Sequence, residues 1–186
     1  HAAKNSPSPA PTATSAPVDT PAPEDAYNIE TTPSPEPTED PAVQIMKEFY
    51  YAPLNEEQID YITGCSYPQN EENLAITYDD LRYVHILHYD FEGNLAEGEL
   101  ICNNYIAQDL IEIFYELYLN EYQLERVTLI ENYNGDDTLS MTDNNTSCFN
   151  YRVVDGTTNL SKHAYGLAID INPFYNPYVT YPGGKI

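Results

Sequence analysis

The chain has 186 residues, with 30 acidic against 7 basic side chains and a formal net charge of -23 at pH 7. Nucleic acid and anionic membrane surfaces are poor partners for such a chain, and no apolar run approaches the roughly 18–20 residues of a membrane span. There is no Met at position 1 and no charged-then-apolar leader, so the chain as given is expected to be soluble and cut from a longer one.

Residues 1–42 are Pro, Ala, Ser and Thr with scattered acids, and hold ten of the fifteen prolines. Large apolar residues are almost absent, so this stretch cannot bury enough surface to offset its chain entropy. It reads as a disordered linker, equally a semi-rigid spacer or a plain interdomain connection. Residues 43–186 are expected to form the folded domain.

Val43, Met46, Phe49 and Tyr50 recur at three- and four-residue steps, a helical pattern that Pro53 ends. Asn55 followed by Gln58 resembles a capping box opening a short helix through Ile59 and Ile62, with Gly64 as its stop. Leu81 to Tyr89 alternate in part as a strand, Phe91-Glu92-Gly93-Asn94 turns the chain, and Glu99 to Cys102 returns as its partner. His85 and His88 lie three apart in that hairpin, hence on opposite strand faces, which argues for structural roles rather than a joint metal site. Asn103 or Asn104 is expected to cap a helix over 105–119, with Ile106, Leu110, Ile113, Phe114 and Leu117 as its core stripe.

Val127 to Ile130 reads as a short strand. Residues 132–147, rich in Asn, Asp, Gly, Ser and Thr, read as a long irregular loop. The overlapping sequons at Asn144 and Asn145 matter only in a glycosylating secretory route. Cys65, Cys102 and Cys148 lie far apart and form no Cys-x-x-Cys pair, which argues against a structural zinc made of cysteines. They permit at most one internal disulfide and read as small buried apolar residues.

The densest chemistry lies in Ser161-Lys162-His163-Ala164-Tyr165-Gly166-Leu167-Ala168-Ile169-Asp170-Ile171-Asn172-Pro173. Leu167, Ile169 and Ile171 alternate with Ala168, Asp170 and Asn172, which predicts a short strand with one apolar face. Gly166 suits a bend between the histidine and that strand. His163 and Asp170 are therefore expected to converge, either as two ligands of a zinc ion or as a hydrogen-bonded pair closing a loop onto a strand end. Arg152 is a guanidinium suited to a peptide carboxylate or a developing oxyanion, or to an ion pair with one of many acids.

The pattern Ser-x-His-x-x-Gly-x-Ala-x-Asp, continued by Ile-Asn-Pro and Asn176-Pro177-Tyr178, resembles the zinc-ligand signature of VanY-type D-alanyl-D-alanine carboxypeptidases and L-alanyl-D-glutamate peptidases. Tyr78 to Tyr83, Phe91-Glu92-Gly93, Gly98-Glu99-Leu100 and Asn144 through Arg152 extend the resemblance over roughly residues 62–182. It implies an α+β domain of the hedgehog/DD-peptidase type, a small antiparallel sheet packed with helices, in an extracellular or cell-envelope setting. It implies a Zn2+ ion on His163 and Asp170, Arg152 on the substrate or oxyanion, and Ser161 near the substrate. The substrate it implies is a peptidoglycan stem peptide. Tyr165, Tyr175, Tyr178 and Tyr181 crowd the same region, mostly as packing residues.

The family's third ligand, a histidine, and its catalytic carboxylate sit in an acid-x-x-His element near a tryptophan-rich stretch. This sequence has no Trp, and no histidine follows His163. The chain is therefore expected to be a C-terminally incomplete, inactive copy of a competent zinc peptidase, lacking the general base. The alternative function is a non-catalytic module binding wall peptide or protein on the same fold. An acidic spacer would explain residues 1–42 but not the motif.

Overall fold

A computed structural model describes residues 40–69, 74–177 and 179. The linker expected over residues 1–42 lies almost wholly outside these residues, as do Tyr178 and Tyr181. Helices accompany a small antiparallel sheet, giving an α+β fold.

Helix α1 (Pro41–Met46) opens on Asp40, whose carboxylate accepts from the Ala42 N–H at 2.9 Å. The helical pattern expected to run on to Tyr50 stops at Met46. Tyr50 instead begins strand β1 (Tyr50–Pro53), and Val43 and Met46 are exposed. Only Phe49 of that apolar set is buried, with its ring edge on Tyr115. Helix α2 (Glu56–Ile62) carries the expected box: Asn55 Oδ1 accepts from the Gln58 N–H at 2.8 Å, and Gln58 Oε1 from the Asn55 N–H at 3.0 Å. These two bonds satisfy donors that the first helical turn leaves unpaired.

Strands β2 (Leu81–Tyr89) and β3 (Leu95–Asn103) form the expected hairpin, with β3 starting four residues earlier than its apolar residues suggest. β1 pairs antiparallel with the outer edge of β2, giving the order β1-β2-β3. Period-2 alternation then sorts the side chains. Leu100 and Cys102 face one core with Val84, Ile86, Leu110 and Phe114, whereas Ile101 joins a second core with Leu81, Leu129 and Phe149. His85 and His88 are both buried. Nδ1 of His85 hydrogen-bonds the Glu48 carbonyl at 2.7 Å, and its ring stacks on Tyr50, a structural role.

Helix α3 (Ala107–Leu119) lays Leu110 and Phe114 against the sheet. Ile113, expected in that stripe, is exposed. Neither Asn caps α3 itself: Ile106 occupies the cap, and Asn103 Oδ1 accepts from Tyr105 N–H one turn earlier. Strand β4 is shorter than expected, only Arg126–Val127, and Ile130–Tyr133 coils into a 3-10 turn. The supposed irregular loop contains helix α4 (Asp137–Thr142), capped by Asp136, and strand β5 (Asn145–Thr146), which pairs parallel with β4. Asn145 is completely buried, donating to the Thr128 carbonyl and to Ser140 Oγ. Asn144 is nearly as enclosed, so the folded domain leaves no room for a glycan on either sequon asparagine. All three cysteines are free.

Candidate functional site

The site hangs from a backbone rail, residues 147–150, that β3 holds in place. Phe149 N–H donates to the Ile101 carbonyl at 3.0 Å on one side. On the other, Ser147 and Asp170 exchange N–H···O bonds of 3.1 and 2.9 Å, and Asn150 N–H donates to the His163 carbonyl at 3.1 Å. The rail thereby fixes the backbones of His163 and Asp170 independently, although seven residues separate them in sequence.

His163 starts a 3-10 turn, His163–Tyr165, that ends at Gly166 with φ +62. This is the bend expected at Gly166, and the space leaves no alternative residue. A Cβ there would stand 2.7 Å from the Asn103 nitrogen. The strand expected after it does not form. Only Asp170 bridges, Leu167 is exposed, and Asn172 turns left-handed at φ +44. The Asn172 side chain holds that turn by donating to the Gln123 carbonyl and accepting from Glu125 N–H.

The His163 and Asp170 side chains do converge: Nε2 and Oδ2 lie 3.4 Å apart, with side-chain exposures of 13% and 35%. His163 Nδ1 lies 2.7 Å from the Cys148 carbonyl. A carbonyl oxygen only accepts, so Nδ1 carries a proton, and in the neutral ring Nε2 is the free nitrogen on the side of Asp170. A ring anchored through one nitrogen to a backbone carbonyl, with the other nitrogen beside a carboxylate oxygen, is a donor pair suited to zinc. Among the described residues no third His, Cys, Asp or Glu joins them in a metal-holding group.

Ser161 is buried beside the histidine. Its Oγ accepts from the His163 N–H at 3.3 Å, and its own N–H donates to the Arg152 carbonyl at 2.9 Å. The Arg152 side chain meets a carboxylate of the chain itself, with Nη2 lying 2.7 Å from Asp137 Oδ2. Both partners are largely shielded, at 29% and 28% side-chain exposure. Its Nε is buried without a hydrogen-bond partner. Asp137 escaped the sequence reading because it sits among similar Asx residues, in a helix that composition alone does not announce. The Cys148 carbonyl left no sequence signal at all, being main chain.

Residues 155–185 match the family model described as D-alanyl-D-alanine carboxypeptidase. No curated protein and no solved structure matches the chain. The matched stretch contains Ser161, His163 and Asp170 and supports a peptidase; Arg152 lies just outside it. A cleft of about 690 Å3 opens between α2 and the β2–β3 hairpin, where Glu57, Asp60, Tyr61, Tyr83 and Glu99 line it. It contains none of these four residues and no imidazole, so donor chemistry rather than cleft size singles out the His163–Asp170 site.

Proposed function

We propose that this chain carries two metal ligands, His163 and Asp170, of a zinc peptidase acting on peptidoglycan stem peptides, as a D-Ala-D-Ala carboxypeptidase or a related endopeptidase of the cell envelope. The observation that carries the proposal is the 3.4 Å approach of His163 Nε2 to Asp170 Oδ2, inside the stretch matched by the carboxypeptidase family. Zinc, when bound, polarises the scissile carbonyl and lowers the pKa of a water. His163 and Asp170 would hold the ion, with the Cys148 carbonyl orienting the ring. Arg152 would meet a substrate carboxylate or developing oxyanion, and Ser161 would hold the histidine's backbone and border the substrate.

Two protein donors make a weak zinc site, because tight sites use about four. Calorimetric titration of metal-free protein should accordingly show weak zinc binding that His163→Ala and Asp170→Ala both abolish. No cleavage of a stem pentapeptide is expected from these residues alone, since none of them is placed as general base. Zinc binding untouched by either substitution would refute the ligand assignment.

The absence of a third donor among the described residues favours a second reading, a binding module for wall peptide or protein. Stem-peptide binding by zinc-free protein, retained in His163→Ala and lost in Arg152→Ala, would select it.

A further inference from the structure

Asn103 ends β3 and is buried, yet every polar group it owns is committed. Its N–H donates to the Gly166 carbonyl at 2.9 Å, and its side-chain Nδ2 donates to the Tyr165 carbonyl at 2.9 Å. Its Oδ1 accepts from Tyr105 N–H at 3.0 Å, and its carbonyl accepts from Ile106 N–H at 3.1 Å. Two of these bonds face the entrance to α3. The other two grip consecutive carbonyls of the turn that begins with His163. The grip is close: at Gly166 nothing larger than hydrogen fits against the Asn103 nitrogen.

The His163 ring has two polar neighbours, the Cys148 carbonyl at Nδ1 and Asp170 Oδ2 at Nε2. Its Nδ1 reaches the Cys148 carbonyl, a group belonging to the rail and not to the turn. The turn must therefore sit at a fixed distance from the rail for that bond to form. The rail is tied to β3 through Phe149 and Ile101, and the turn is tied to β3 through Asn103, one residue past Cys102. The rail also meets the turn directly, through the Asn150 N–H on the His163 carbonyl and Cys148 Sγ on the Gly166 carbonyl at 3.5 Å. β3 braces both, and the Asn103 amide is its only side-chain tie to the turn among the described hydrogen bonds.

We infer that Asn103 is a positioning residue for His163: by anchoring Tyr165 and Gly166 it holds the ring with Nδ1 on the Cys148 carbonyl and Nε2 presented to a metal. This inference rests on the reading of His163 as a zinc ligand, and extends it to a residue 60 positions away in sequence. Outer partners that orient metal-binding histidines change affinity by roughly 10–100-fold when removed.

The test uses the full chain with Asn103→Asp, Asn103→Ala and a core control, Val84→Ala in β2. Asn103→Asp keeps the acceptor for Tyr105 and, when ionised, turns the donor facing Tyr165 into a second acceptor. Asn103→Ala keeps only the main-chain bonds. Two quantities are read: the His163 tautomer by 15N imidazole NMR of the metal-free neutral ring, and zinc affinity by titration. Both Asn103 variants are expected to shift His163 from the Nδ1-protonated form toward a tautomer mixture, and to weaken zinc binding roughly 10–100-fold. Val84→Ala should do neither.

An unchanged tautomer, or unchanged zinc affinity in a chain that natively binds zinc, would overturn the inference. So would failure of both Asn103 variants to fold while Val84→Ala folds, since the residue would then be a general structural one. If the native chain binds no zinc but the tautomer still responds, positioning by Asn103 stands and the metal reading falls.

Discussion

Arg152 and Asp137, fifteen residues apart, meet at 2.7 Å across the gap between the Ser161 segment and the first turn of α4. The pair is shielded enough to matter and exposed enough to be screened. Asp137→Asn should therefore lower stability by about 1 kcal/mol, the upper end for such ion pairs, and melting by roughly 2–4 °C. The difference from the native chain should shrink in 1 M salt. Equal melting curves at low salt would show that the pair contributes nothing.

Gly166→Ala meets two penalties at once. The left-handed backbone costs roughly 1–2 kcal/mol for a residue with a Cβ, and the new methyl would lie 2.7 Å from the Asn103 nitrogen and 3.1 Å from the Cys102 carbonyl carbon. Main-chain atoms at both positions cannot swing aside as a side chain would. A combined loss of about 2–4 kcal/mol is expected, read as a lower urea midpoint with an unchanged slope. Gly156→Ala has left-handed backbone but open space around it, and should lose only the first part.

Glu131 should make the fold less stable as pH rises. Burial pushes its carboxyl above the ordinary value, against the Ser66 hydroxyl, which donates to Oε1 and favours the ionised form. A raised carboxyl pKa means the folded chain holds its proton to higher pH than the unfolded chain does. The stability it lends is complete below about pH 4.5 and drains away as pH climbs through the folded value. Tyr61 and Cys65, its titratable neighbours, are neutral across that window, both being pushed upward by burial and by Glu131 itself. Comparing urea midpoints of native protein and Glu131→Gln from pH 4 to 7 isolates the effect. The native chain should lose ground to the variant with rising pH, and parallel curves would contradict this.

The thiols should react in a fixed order. Burial pushes Cys102 up to about 12 and Cys148 well above its ordinary value, so neither forms thiolate near neutrality. Cys65 is only partly buried, and its thiol is raised first by burial and then by Glu131. Slow modification of Cys65 alone is expected in the native protein at pH 8, with all three accessible in denaturant. Early labelling of Cys148 would mean that the rail beneath His163 opens readily.

Features written by neighbours in sequence are legible in the sequence itself. Asn55 and Gln58 cap each other across three residues, the β2–β3 hairpin follows from alternation and a Gly-containing turn, and Gly166 bends where a bend was needed. What escaped was decided at long range. The run from Leu167 to Ile171 alternates like a strand but is pinned between two left-handed residues, Gly166 and Asn172, the second held by groups nearly 50 residues away. α4 contains Thr138, Ser140 and Thr142, weak helix formers, and stands on the Asp136 cap and on contacts with the turn at Ile130–Tyr133. The convergence of His163 with Asp170 was expected from the bend. The rail that produces it was not, because carbonyls leave no trace in a side-chain pattern.

The Val153–Leu160 bridge has a consequence for how this domain could diversify. It closes a hairpin whose residues 153–159 are all exposed, and at whose tip a Cβ added to Gly156 would meet nothing within 4 Å. Behind the bridge, Ser161 and Arg152 are joined by their own backbone bond. Chain inserted at the tip would therefore lengthen a loop already closed, at a cost of only about 0.6 kcal/mol for each doubling. Four Gly-Ser residues placed between Asp155 and Gly156 should leave melting and zinc affinity nearly unchanged, and a large loss of either would disprove that insulation. This hairpin is the place where new recognition segments could be grafted beside the histidine without redesigning what holds it.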